Sequence, residues 1–232
     1  MNFYNCIVSF SFVILFTIQS FSQEDFYYRV WQLNNQDSIA GFKTTFLIDK
    51  PDKIKTQFGE SLYFDGINDG LLINHNPVAG FTNFTIEILF MPDSSSNLDN
   101  YEQRFLHIKN SDDSRRILIE LRLVRNNKWS LDTFIKSENS RCTLIDTSLQ
   151  HPTNQWYHVA LTYSDGLMKH YVNGNKELEG KVDYQPIDSE AKISIGVRQN
   201  MKSWFKGTIS YISFTNKSLN PEEFLLLRKI HY

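Results

Sequence analysis

A chain of 232 residues suits one large all-β domain or two small domains. Its 18 Phe and 11 Tyr favour strands over helices. A formal net charge of −2 excludes the strongly basic composition of a nucleic-acid binder, and no run of like charges offers a polyanion-binding tail.

The first residues read as a targeting segment. From Cys6 to Ile18 the chain is uncharged and apolar or small-polar. Ser20 and Ser22 then stand at −3 and −1 of a cut before Gln23. The stretch is shorter than the ~20 residues that span a bilayer, so residues 1–22 are expected to be a signal peptide rather than an anchor. Its n-region lacks Lys and Arg. The expected location is secreted, periplasmic or at the cell surface, with no membrane span after signal removal. Without Cys6, Cys142 has no internal disulfide partner and no Cys-based metal site is possible. A buried, inert thiol is expected there.

In chain order, Tyr28–Leu33 alternates like an early strand and Phe42–Ile48 is a second. Asp49–Lys53 is expected to break it, because Pro51 cannot donate to a ladder. Phe58–Ile73 carries strands on either side of two turn signals, Asp65-Gly66 and Asp69-Gly70. Phe84, Ile86, Ile88 and Phe90 share one face of the next strand. Pro92–Asn100 is a polar loop. Further strands are expected at Phe105–Ile108, Ile117–Val124, Trp129–Ile135, Thr143–Ile145, Ile193–Val197 and Phe205–Phe214. The loop Arg198–Ser203 precedes the last. Leu219–Arg228 is the one expected helix, with Asn220 as cap, Pro221 in the first turn and Glu222 and Glu223 at the positive end of its dipole.

The clearest element is a hairpin. Tyr157, Val159, Leu161 and Tyr163 fall on one face of its first strand, and His158, Ala160 and Thr162 on the other. Ser164-Asp165-Gly166 connects it to Leu167–Val172, and Asn173-Gly174 marks the next turn. The chain has no internal repeat and no Pro-, Gly- or Ser-rich linker. A two-sheet antiparallel jelly-roll sandwich filling residues 23–232 is therefore expected, with one short C-terminal helix.

Four stretches together resemble the laminin-G-like, concanavalin A-like lectin/glucanase superfamily, of secreted bacterial type. They are Leu62-Tyr-Phe-Asp-Gly-Ile-Asn-Asp-Gly, Phe84-Thr-Ile-Glu-Ile-Leu-Phe, the hairpin with its Tyr171-Val-Asn-Gly, and Phe205-Lys-Gly-Thr-Ile-Ser-Tyr-Ile-Ser-Phe followed by Leu219 and Glu223. The resemblance spans about Tyr28 to Phe224. It implies the jelly roll and leaves activity open, since the superfamily holds lectins, glycosidases, lyases and adhesion modules.

Catalytic signatures are weak. A glycosidase needs two carboxylates across a cleft. The Glu-x-Asp-x-x-Glu strand of related glucanases is absent, and Glu87 and Glu120 read as outward strand residues. Arg116, Glu120 and Arg122 only partly echo the Arg-x-Glu-x-Arg of related lyases, and no Gln-x-His follows. The six His lack transition-metal spacing, and His158 is expected to be structural.

Calcium is the one ion the sequence offers. Asp65, Asn68 and Asp69 supply oxygen ligands in a glycine-containing loop. Related domains add an Asp on the closing strand, where this chain has Ser210. The alternative is that the same side chains shape a tight turn. For a sugar, Trp204 offers a ring to stack on, with Arg198 and Asn200 beside it to bond hydroxyls. The alternative for Trp204 is packing. Trp129, Tyr101 and Tyr184 are weaker candidates, and Trp31 and Trp156 read as core. The expectation is a non-catalytic module that binds a glycan or cell-surface polysaccharide. A protein-adhesion module and a polysaccharide hydrolase or lyase are the alternatives.

Overall fold

The computed structural model describes residues 26–95 and 98–230. The expected signal peptide, residues 1–22, lies outside them. The first strands are β1 (Tyr28–Gln32), β2 (Ser38–Ile39), β3 (Phe42–Phe46), β4 (Asp52–Thr56), β5 (Gly59–Asp65) and β6 (Leu71–Ile73). The middle of the chain gives β7 (Phe84–Pro92), β8 (Glu102–Lys109), β9 (Arg115–Val124), β10 (Lys128–Ser137), β11 (Ser140–Ile145) and β12 (His151–Pro152). Then come β13 (Tyr157–Ser164), β14 (Leu167–Val172), β15 (Asn175–Lys181), β16 (Lys192–Ile195) and β17 (Lys206–Thr215).

These strands form two antiparallel sheets. The first runs β15-β14-β13-β7-β17-β5-β4, with β1 also on β17; the second runs β11-β10-β9-β8-β16-β6-β3-β2, with β12 on β10. Their inner faces meet through aromatic rings. Phe90 stacks on Phe105 at 4.6 Å between centroids and meets Trp129 edge-on at 5.3 Å, joining β7 to β8 and β10. The hairpin folds as its alternation predicts. Tyr157, Val159, Leu161 and Tyr163 enter this core, and Asp165 and Gly166 make a two-residue turn with φ of 50° and 78°. Gly207 sits at φ 143°, where a Cβ would lie 2.3 Å from the Met91 carbonyl oxygen, so the closing strand needs glycine at that point.

Four strands escape the sequence pattern, and two of them, β2 and β12, are only two residues long. β4 (Asp-Lys-Ile-Lys-Thr) and β15 (Asn-Lys-Glu-Leu-Glu-Gly-Lys) are the two edges of the first sheet. Edge strands are kept polar against further pairing, which removes the alternation that would reveal them. The expected break at Asp49–Lys53 ends at Pro51, just before β4.

The C-terminal helix is shorter than Leu219–Arg228. Pro221–Glu223 is a single 3₁₀ turn, and the α-helix covers only Leu227–Ile230. Between them Phe224 is extended, with φ −59° and ψ 126°. The cause is Glu87 on β7. Its carboxylate accepts the Leu225 N–H at 3.0 Å and the Leu226 N–H at 2.8 Å, replacing the helical acceptors. Phe224 drops against His158 and Tyr171, each at 5.2 Å between ring centroids. Glu87 does point away from the core, but this segment covers it and leaves it fully buried.

Candidate functional site

The outer face of the first sheet is covered in part by the C-terminal segment, where Leu219 and Phe224 pack on Ala160 and Tyr171; the outer face of the second is where polar chemistry gathers. On β9, Ile117, Ile119, Leu121 and Leu123 face the core. Alternation therefore turns Arg116, Leu118, Glu120 and Arg122 outward. Register sets Arg104 of β8 and Asp132 of β10 on either side of Glu120. Glu102 stands opposite Arg122.

These five side chains form one ionic network. Arg122 binds Asp132 at 2.6 Å, Glu120 at 3.3 Å, and Glu102. Arg104 pairs with Glu120, holds Glu102 at 3.1 Å and donates to Ser203. Two cations thus face three carboxylates. Burial, then the neighbouring Asp132, push the Glu120 carboxyl up to about 8, against the pull of Arg104 and Arg122. Burial also opposes ionisation of Glu102, but Arg122 and Arg104 outweigh it and hold that carboxyl below the usual range. Arg122 also lies over the ring of Tyr101, 5.6 Å from its centroid, and Tyr101 is exposed.

The loop 198–204 leans over the same face. The Met201 N–H bonds the Arg198 carbonyl at 2.8 Å, and Gln199 donates its N–H to His107 Nδ1 at 3.2 Å. His107 is therefore neutral with its proton on Nε2, and that N–H has no protein partner. Burial, with Arg198, Arg116 and Lys109 nearby, pushes its pKa down to about 3. Arg198 is half-buried and has no carboxylate partner among the described residues. Burial lowers its pKa, and Arg104 and Arg116 lower it further.

Arg198 is thus at this face. Asn200 is exposed on the tip of the same loop. Trp204 is half-buried, and its ring would lie 3.0 Å from a Cβ placed on Gly70, so part of the indole packs on that glycine. Tyr101 is presented to solvent, whereas Trp129 is wholly in the core and Tyr184 is buried. Trp31 is core as expected, but Trp156 is only half-buried, edge-on to Phe58 at 4.8 Å. Cys142 is half-buried and burial raises its thiol pKa, which suits an unreactive side chain.

Asp65 and Asp69 act in the turn. Asp65 Oδ1 accepts the N–H groups of Ile67, Asn68 and Asp69 at 2.7, 3.1 and 3.3 Å. Asp69 Oδ2 accepts the Asp65 N–H at 2.9 Å. Burial, chiefly, raises the Asp69 carboxyl to about 6. Among the described residues no group of three His, Cys, Asp or Glu side chains is placed to hold a metal ion.

Sequence reasoning left Glu102, Arg104, His107 and Asp132 unremarked. The spacing Arg116-x-Leu-x-Glu120-x-Arg122 carried the one usable signal, since period two puts all four on one face.

Two antiparallel sheets in this order define a jelly-roll sandwich of the lectin-like class. Residues 65–224 match the sequence profile of the concanavalin A-like lectin/glucanases superfamily, and the chain belongs to that family. No curated protein sequence matches it. Among solved structures it is similar to domain 4 of AbnA, a GH43 extracellular arabinanase from Geobacillus stearothermophilus, in complex with arabinotriose. The TM-score is 0.63 at 18% identity, over 85% of this chain and 96% of that one. It is also similar to the SAP-like pentraxin of Limulus polyphemus, with TM-score 0.56, 16% identity and 69% and 77% of the two chains covered. A third similar structure is the botulinum neurotoxin serotype G binding domain, with TM-score 0.61 and 15% identity. That match covers 87% of this chain and 50% of the toxin domain, so the chain spans half of it. At these identities the likeness is one of fold. No described helix is long and apolar enough to cross a membrane.

Proposed function

We propose that this protein is a secreted, non-catalytic binding module for a glycan, which docks on the outer face of the second sheet beside the loop 198–204. One observation carries the reading: the acids on that face are locked in place. Glycosidase carboxylates stand roughly 5–9.5 Å apart with the sugar between them. Glu120 and Asp132 are instead directly opposite on neighbouring strands, buried, and paired with Arg104 and Arg122. Such a pair has no open side for a sugar. What the face offers outward is guanidinium, hydroxyl and aromatic surface, the groups that bond sugar hydroxyls and stack on pyranose faces. The similarity to an arabinotriose-bound domain supports the same reading.

A glycan array run with and without calcium tests it, alongside reducing-sugar assays on the polysaccharides that bind. Glycan binding without product release is the expected result, and release of product would overturn it. The calcium arm decides whether the Asp65, Asn68 and Asp69 turn also takes an ion. Trp204→Ala is expected to retain a cooperative unfolding transition while weakening glycan binding about tenfold, a loss typical of one stacking ring. Global unfolding of that variant would place Trp204 among the packing residues alone.

One observation favours adhesion to a protein instead. Phe26, Tyr28 and Val30 are 55%, 52% and 39% exposed along one end of β1. Failure of every glycan on the array, with binding to a protein surface lost in Tyr28→Ser, would select that alternative.

A further inference from the structure

The outer face of the second sheet carries a second feature, one register row away from the ionic network. Lys192 of β16 stands opposite Lys109 of β8, which stands opposite Arg116 of β9. Arg116 stands opposite Lys136 of β10, and Lys136 opposite Arg141 of β11. Cross-strand partners share a face, and the neighbours Ile193, Ile108, Ile117 and Ile135 all enter the core. Five cations on five consecutive strands therefore line up across the outside of the sheet. At ~4.8 Å between strands the row is about 19 Å long.

Like charges directly opposite one another destabilise a sheet. The protein compensates this row only at its centre. Asp113 lies 2.7 Å from Arg116 and 3.5 Å from Lys109, and its carbonyl accepts from Lys136 Nζ at 2.8 Å. Lys192 and Arg141, at the two ends, are exposed and have no ion-pair partner among the described residues. Beside the row lie the Arg198 guanidinium, with no carboxylate partner among the described residues, and the buried His107 Nε2–H, with no acceptor among them. The whole assembly is rich in donors and short of acceptors, and a row of such length suits a ligand with repeated negative charge.

We propose that the glycan is a linear acidic polysaccharide, lying across the strands with its carboxylate or sulfate groups on Lys192, Lys109, Arg116, Lys136 and Arg141. This rests on the glycan-binding reading above and names its ligand class. A chain whose overall charge is −2 can still do this, because the row concentrates cations that the composition averages away.

The test measures binding of size-matched oligogalacturonate, heparin oligosaccharide and neutral arabino-oligosaccharide to the full chain, with poly-glutamate and single-stranded DNA as other polyanions. The variant is the triple Lys109→Gln, Lys136→Gln, Lys192→Gln, which leaves the Arg116–Asp113 pair in place. The expected result is that an acidic oligosaccharide binds more tightly than the neutral one, with affinity falling as salt rises. The triple variant should lose about tenfold or more of that affinity at an unchanged melting temperature. Galacturonate against heparin separates carboxylate from sulfate recognition. Unchanged acidic-glycan affinity in the triple variant overturns the proposal, as does equal binding of poly-glutamate or DNA. Binding of the neutral oligosaccharide alone also overturns it but leaves the glycan reading standing. Binding of no glycan sinks both.

Discussion

Glu87→Ala is expected to lower the unfolding free energy by about 3–5 kcal/mol, the usual cost of removing one member of a buried polar pair. Four donors converge on the Glu87 carboxylate. They are His158 Nε2 at 2.9 Å, Ser213 Oγ at 3.0 Å and the two N–H groups of Leu225 and Leu226. Alanine leaves all four without an acceptor in a fully buried site. The loss should not be uniform. Leu219 still bonds Thr85 through its N–H at 2.8 Å, so the segment keeps its entry point while its end is released. Hydrogen exchange should show the Leu225 and Leu226 amides losing protection before those of the core strands. Glu87→Gln keeps one acceptor oxygen and should cost less. Urea unfolding checks the magnitude, and a loss below about 1 kcal/mol for alanine would show that the C-terminal segment is held by Phe224 packing instead.

The same residue shows where sequence reading stops. Period two correctly turns Glu87 away from the core, but it cannot say that residues 219–226 come back to cover it. That contact links positions more than 130 apart along the chain. The expected helix at Leu219–Arg228 fails for the same reason: its caps and propensities are local, and Glu87 competes for its N–H groups from the distant strand β7. The hairpin at 157–172 was legible because both of its faces are decided by alternation and its turn by two residues. Trp129 offers the converse case. Its ring was a plausible platform on composition, yet it lies on the core side of β10, edge-on to Phe90. The cationic row is the least legible feature. Lys109, Arg116, Lys136, Arg141 and Lys192 are scattered over 84 positions and become neighbours only through four strand registers. The ionic network was partly visible, as Glu120 and Arg122; Glu102, Arg104 and Asp132, which decide its chemistry, come from neighbouring strands.

That network makes a prediction about pH. With two arginines among three carboxylates, the charges balance when one carboxyl keeps its proton, and Glu120 is the one pushed up, from 4.5 to about 8. The native state then holds a proton that the unfolded chain releases above about pH 4.5. Its contribution to stability is complete below that point and is lost as pH rises through about 8, with a slope approaching ~1.4 kcal/mol per pH unit. His107 and His170 work in the opposite sense. Each is lowered from 6.5 to about 3, chiefly by burial, so their contribution is complete above pH 6.5 and is lost as pH falls. Asp69, raised to about 6, acts in the same sense as Glu120 but is largely ionised by about pH 7. Between pH 6.5 and 8 Glu120 acts almost alone, and stability should peak near pH 6.5 and decline above it. Glu120→Gln replaces the protonated acid by an amide that can still accept from Arg104 and donate to Asp132. It should change stability little at pH 6.5 and abolish the decline up to pH 8. Urea midpoints for both proteins at half-unit steps decide the matter. Parallel slopes would mean that Glu120 is ionised at neutral pH, with the missing charge balance supplied elsewhere on that face, and the buried, arginine-paired, non-catalytic character assigned to the pair would lose its physical basis.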